Sequence, residues 1–212
     1  MLIDTLEYTP PLLPLEGFSL SGKLPYNKRT LLPDFSEMLN QEKFADVSIS
    51  WNEKGLFITV DVDVACGEVS YPSFEEGDAF ELFLDTRDTK TSRFLNAFCH
   101  RFVFLPKEVQ GMNAQEITVF RGEQTHPLAS PKFLHCKTEH KRSGYEMKIH
   151  IESAALHGFD PLGFPKIGIA YRIHRHKAHP QQFSVGNAHF SLEQQPQFWA
   201  SFSFVTKKER KP

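Results

Sequence analysis

The sequence predicts an all-β protein, an antiparallel two-sheet β-sandwich carrying one short helical turn. Three observations predict it. Apolar and polar residues alternate with a period of two in one short stretch after another. Turn-forming Gly, Pro, Asn and Asp punctuate these stretches, and the one convincing helical piece is a single short turn. No repeat, low-complexity block or linker divides the 212 residues into two cores, so a single domain spanning 1–212 is expected.

Taken in chain order, the segment 1–33 is rich in proline and reads as irregular. Val47, Ile49 and Trp51 alternate with Ser48 and Ser50, and Leu56, Ile58, Val60 and Val62 alternate with Thr59 and Asp61. Asn52 to Gly55 joins the two runs as a tight polar connection, which predicts a hairpin. Further strands are expected over 79–85, 101–105, 116–120, 133–138, 145–152, 167–174 and 198–205. Ser153 fits an N-cap, Ala154 to Leu156 a helical turn, and Gly158 its close. The stretches 9–33, 107–114 and 176–197 hold many of the Pro, Gly, Asn and Gln residues and read as loops, and 206–212 as a basic tail. Phe198, Phe202 and Phe204 share a face expected to be core, which sends Trp199 to the opposite face.

Composition excludes several functions. Twenty-four Lys and Arg against 26 Asp and Glu give a formal net charge of −2, so no overall positive field gathers a phosphate backbone, and nucleic acid is not expected as a partner. Apolar runs are far short of the roughly 20 residues that span a bilayer. The first residues carry Asp4, Glu7 and prolines where an export leader needs a continuous apolar stretch, so a cytoplasmic protein is expected. Cys66, Cys99 and Cys136 are too few and too scattered for a disulfide framework or a Cys-x-x-Cys knuckle.

Three segments carry a resemblance. Gly77-Asp78-Ala79-Phe80-Glu81-Leu82-Phe83-Leu84-Asp85 follows the hairpin; Tyr145 to Glu152 leads through Leu156 to Gly168-Ile169-Ala170-Tyr171; and Phe198-Trp199-Ala200-Ser201-Phe202 closes the chain. In this order they resemble the family 9 carbohydrate-binding modules and their relatives. The resemblance implies a non-catalytic module that holds a saccharide or similar polar ligand between two aromatic rings, with Glu, Arg and Asn reading its hydroxyls. Matched residue by residue, Phe74 and Phe190 stand for the rings, and Glu81, Arg101 and Asn187 for the polar groups. Phenylalanine replaces the tryptophan that the family prefers, and Phe74 lies one position farther from Glu81 than the usual aromatic. Such modules often hold structural calcium, for which Asp61 with Asp63, or Asp85 with Asp88, are the candidate oxygen ligands.

Each candidate has a plainer alternative. Phe74 and Phe190 fit caps on the end of the sandwich, Glu81 fits a solvated strand face, and a cross-strand ion pair with Glu81 accounts for Arg101. The four aspartates fit solvated carboxylates. His174, His176 and His179 suit a transition metal, but Arg172, Arg175 and Lys177 crowd the same segment with like charge. Met112 and Met147 leave a b-type haem reading open. A protein-interaction scaffold that kept the sandwich and lost its sugar is the other functional class, and it would have another protein as partner.

Overall fold

The computed structural model describes residues 12–16, 30–90, 94–183 and 191–205. Among the described residues, eleven strands form two sheets. In chain order they are β1 (Leu12–Glu16), β2 (Ala45–Asn52), β3 (Gly55–Val62), β4 (Ala79–Asp85), β5 (Cys99–Val109), β6 (Met112–Glu116), β7 (Leu134–His140), β8 (Tyr145–Glu152), β9 (Lys166–His174), β10 (Gln181–Phe183) and β11 (Ala200–Val205). The first sheet runs β1-β11-β9-β4-β5-β6, with β10 also on β9, and the second runs β2-β3-β8-β7. Short 3-10 turns lie at Phe74–Glu76, Pro131–Phe133, Ser153–Ala155 and Pro196–Phe198.

The β2–β3 hairpin pairs in the register that alternation demands, Val47 with Val60, Ile49 with Ile58 and Trp51 with Leu56. All six face the second sheet's buried side. Across from them stand Phe80, Leu82 and Leu84 of β4, Phe102 and Phe104 of β5 and Ile167, Ile169, Tyr171 and Ile173 of β9, which together form the main core. A fully buried side chain of this kind contributes about 1.5–3 kcal/mol, so this interleaved layer is the main source of stability.

Three expectations of loop are corrected. Within 9–33 lies β1, which pairs in parallel with β11, Leu13 beside Phe202 and Leu15 beside Phe204. The 107–114 stretch is a hairpin turning at Gln110 and Gly111, both with positive φ, and 176–197 includes β10. The strand expected over 116–120 is shifted to 112–116. Phe198 sits in a 3-10 turn rather than on β11, so it does not share the Phe202 row. Trp199 is on the other side of the sheet, as alternation implies, but is fully buried there against Phe83.

Side chains also tie the two sheets together at their rim. The Gln181 amide oxygen accepts the Phe44 and Ala45 N–H groups at 2.8 and 2.9 Å, and its nitrogen donates to the Ala45 carbonyl at 2.9 Å. Trp51 Nε1–H donates to the Leu15 carbonyl at 2.9 Å. Both contacts join a strand of one sheet to a strand of the other.

Candidate functional site

Strand β4 is buried along its whole length, because its outer face is covered as well as its inner one. On that outer face Phe83, Cys99 and Ala170 pack beneath Leu192 and Trp199, and farther along Ala79, Val103 and Leu105 pack beneath Phe74. Glu81, Arg101, Arg172 and His174 occupy the strip between these two patches. Glu81 pairs with Arg172 across the β4–β9 ladder, and Arg101 lies diagonally opposite on β5.

Arg101, Arg172 and His174 all converge on Glu81, whose exposure is 0%. Arg101 Nε donates to Oε1 at 2.6 Å, and a second guanidinium nitrogen lies 2.6 Å from the same oxygen. Arg172 donates to Oε2 at 3.1 Å and to Glu193 Oε1 at 2.8 Å. His174 Nε2 is 2.9 Å from Glu81 Oε2. Burial works to raise the Glu81 pKa, but the His174 hydrogen bond and the charges of Arg101 and Arg172 outweigh it and hold the carboxyl below its usual range. Glu81 is thus a buried anion with charged partners, not the solvated strand residue that alternation alone allows, and the expected cross-strand pair with Arg101 is present.

Phe74 opens the 3-10 turn before β4 and meets His174 edge-on, with ring centroids 5.6 Å apart. The Arg101 guanidinium lies 5.8 Å from the Phe74 ring centre. Phe74 is 8% exposed, while the Arg101 side chain keeps 17% and has Glu75 at its outer end, 3.4 Å away. Phe74, Glu81 and Arg101 therefore come together; Asn187 and Phe190 lie outside the described residues.

The calcium candidates fall on separate sheets. Asp61, on β3, is ion-paired with Lys141, and Asp63 is exposed just beyond that strand. Asp85 accepts the Arg87 and Thr89 N–H groups and the Thr89 hydroxyl, and Asp88 faces the Lys90 ammonium at 3.0 Å. Among the described residues, two other clusters bring three ligand atoms within 4.8 Å of one another and could hold a divalent cation: Glu75–Glu81–Glu193 and His100–Glu116–His126. The first is threaded by two guanidiniums. His174, His176 and His179 form no such cluster: His174 turns to Glu81 and His176 to Glu76 and Glu68.

The second cluster was not legible in the sequence. Glu116 ends β6, 1% exposed, and accepts the Thr118 hydroxyl at 2.7 Å on Oε1 and the Ala129 N–H at 2.6 Å on Oε2. His100 Nδ1 and His126 Nε2 stand 2.8 and 2.9 Å from Oε1. Against the raising effect of burial, the hydrogen bonds of His100 and His126 bring the Glu116 carboxyl down to about 2. His126 comes from the irregular chain after β6, and periodicity carries no signal for it.

The architecture as a whole matches known structures. A family 9 carbohydrate-binding module from Caldicellulosiruptor kristjanssonii, in complex with cellotriose, superposes over 95% of this chain and 97% of its own at a TM-score of 0.62 and 10% identity. Its complex with glucose gives 0.61 over 94% and 97% at 10% identity. The fold is that of a family 9 carbohydrate-binding module. A Bacteroides uniformis protein proposed to bind carbohydrate shares this module-like sandwich at 0.59 and 12% identity, over 92% of this chain and 100% of its own. No protein-family model and no curated protein matches the chain.

Proposed function

We propose that the protein is a non-catalytic binding module for a saccharide or similar polar ligand, held on the outer face of β4, β5 and β9. One observation carries this reading: on a sandwich shared with modules solved around cellotriose and glucose, Glu81 fixes the Arg101 guanidinium beside the Phe74 ring. Both Glu81 oxygens are taken by protein donors, so its role is to aim Arg101, whose outer N–H groups read ligand hydroxyls. Phe74 and Phe190 supply the apolar faces on which a pyranose ring stacks, and Asn187 a further donor and acceptor. The three cysteines are free thiols, in keeping with action in the cytoplasm. Calcium at Asp61 and Asp63, or at Asp85 and Asp88, would have to displace the Lys141 and Lys90 ammonium groups.

The test is a glycan array followed by calorimetry, in metal-free and in calcium-loaded buffer. Phe190→Ala is expected to weaken the saccharide by at least about 1 kcal/mol with an unchanged melting temperature. Phe74→Leu, which conserves bulk, should act in the same direction. Silence across the array overturns the reading. A Soret band in the purified protein would then favour haem, and silence in both measurements a protein-interaction scaffold.

A further inference from the structure

The buried triad at the edge of the first sheet is independent of the sugar reading and is arranged as a ligand set. His126 Nδ1 lies 2.7 Å from the Ala97 carbonyl. A carbonyl only accepts, so the ring carries its proton there and turns Nε2 toward Glu116. His100 is turned the same way but held more loosely: its Nε2 faces the His157 carbonyl at 3.5 Å, the outer limit of a hydrogen bond, and its Nδ1 faces Glu116 at 2.8 Å. A backbone carbonyl on the far nitrogen is the arrangement that orients metal-ligating histidines. Glu116 completes the pattern, since Oε2 is occupied by the Ala129 N–H while Oε1 points at both imidazoles.

With both rings neutral and protonated on their outer nitrogens, two nitrogen lone pairs stand 2.8 and 2.9 Å from one carboxylate oxygen, which is repulsive unless something positive lies among them. Without an ion, His100 can turn its one ring proton to Glu116, but His126, held on the Ala97 carbonyl, needs a second proton to do so, which places an imidazolium on a carboxylate with His100 and Glu116 each 1% exposed and His126 7%. Desolvating such a pair is costly. One divalent cation satisfies all three atoms and leaves both rings neutral.

We propose that His100 Nδ1, Glu116 Oε1 and His126 Nε2 bind a divalent transition-metal ion of the zinc class. Two imidazoles and one carboxylate suit zinc and its neighbours rather than calcium, which takes oxygen ligands. Rings shield the position: Phe120 meets His126 edge-on at 4.9 Å, and His157 stacks on it at 5.4 Å. The ligands come from β5, the end of β6 and the chain ten residues beyond it, so the ion clamps this irregular stretch to the sheet edge and is structural in role.

The full-length protein, stripped with EDTA and dialysed, is titrated with Co²⁺ and then with Zn²⁺. The expected result is one Co²⁺ per chain with a visible d–d band, displaced by one Zn²⁺, and a higher melting temperature in the loaded protein. Affinity should fall at least ~100-fold in His126→Gln and in Glu116→Gln, beyond the 10–100-fold typical of changes behind the ligands. Wild-type Co²⁺ protein should also show two hyperfine-shifted imidazole N–H resonances in its NMR spectrum, a readout that needs no variant to fold. Absence of the band, absence of those resonances, or affinity unchanged in both folded variants would overturn the proposal. Sugar binding by the same sample is scored separately and bears on neither result.

Discussion

Glu81 and Glu116 are both buried carboxylates that gather three side-chain partners, yet they are opposite in kind. Glu81 sits mid-sheet between two guanidiniums, which neither lose their protons nor ligate a metal. Its cluster is therefore permanently charged, and Glu75 and Glu193 at its margins bring further negative charge. Glu116 sits at a sheet edge with two imidazoles and a hydroxyl, groups that carry no fixed charge and can ligate an ion. The difference teaches that a shared chemical theme, a carboxylate below its usual range, serves a fixed electrostatic scaffold in one place and a cluster of ligating groups in the other.

The sharpest way to break this comparison is to remove each carboxylate in turn. Glu81→Ala removes the carboxylate shared by Arg101, Arg172 and His174 and leaves Arg172, which is 3% exposed, with Glu193 as its carboxylate partner; urea unfolding should record a loss of about 3–5 kcal/mol, the cost of removing one partner from a buried charge network. A loss below 1 kcal/mol would mean that the cluster is solvated.

Acid should reproduce much of that loss. Both folded carboxyls lie below their unfolded values, so the stability they confer is complete above the ordinary glutamate range near 4.5 and disappears as pH falls through the folded values, about 2 for Glu116. In EDTA, the urea midpoint of the wild type should drop between pH 4.5 and 2 more steeply than that of the double variant Glu81→Gln, Glu116→Gln. Equal slopes would remove both groups as the acid-sensitive ones.

Glu116→Gln in metal-free protein should cost less than Glu81→Ala, about 1–3 kcal/mol, since the glutamine keeps an amide oxygen for the Thr118 hydroxyl and no guanidinium loses a counter-charge. A cost matching that of Glu81→Ala would erase the distinction. Smallest is Arg101→Lys, expected at about 1 kcal/mol in stability because one charge is kept and a paired hydrogen bond is lost. Its effect on saccharide affinity should exceed its effect on folding, which calorimetry set against melting would reveal.

Much of the fold could be read from alternation alone. The β2–β3 hairpin, β4 over 79–85 and β8 over 145–152 lie where the pattern put them, because each has a dry face whose period a strand must obey. Misreadings cluster where another force takes over. Pro106 lies within β5, in the stretch where its register against β6 shifts between Phe104 and Val109; proline cannot donate to a ladder, so the sequence reads as a break where the strand continues. Ile117 and Val119 mimic a strand beyond the end of β6, and β1 depends on a parallel partner nearly the whole chain away, which no local pattern encodes. At the candidate site, Glu81 and Arg101 were visible as same-face residues on neighbouring strands. Arg172 and His174 were visible as a polar row alternating with Tyr171 and Ile173, but only the β4–β9 register turns that row from a basic edge into the partners of Glu81.

The Gln181 amide has a consequence for where any ligand can go. By bonding to Phe44 and Ala45 with the same groups a backbone would offer, this one side chain acts as a rung stitched between the leaves of a closed book. Together with the Trp51 indole clasping Leu15, it makes opening the pages cost hydrogen bonds before anything is gained. The space between the leaves is closed by these ties, which leaves the cover as the face open to contact.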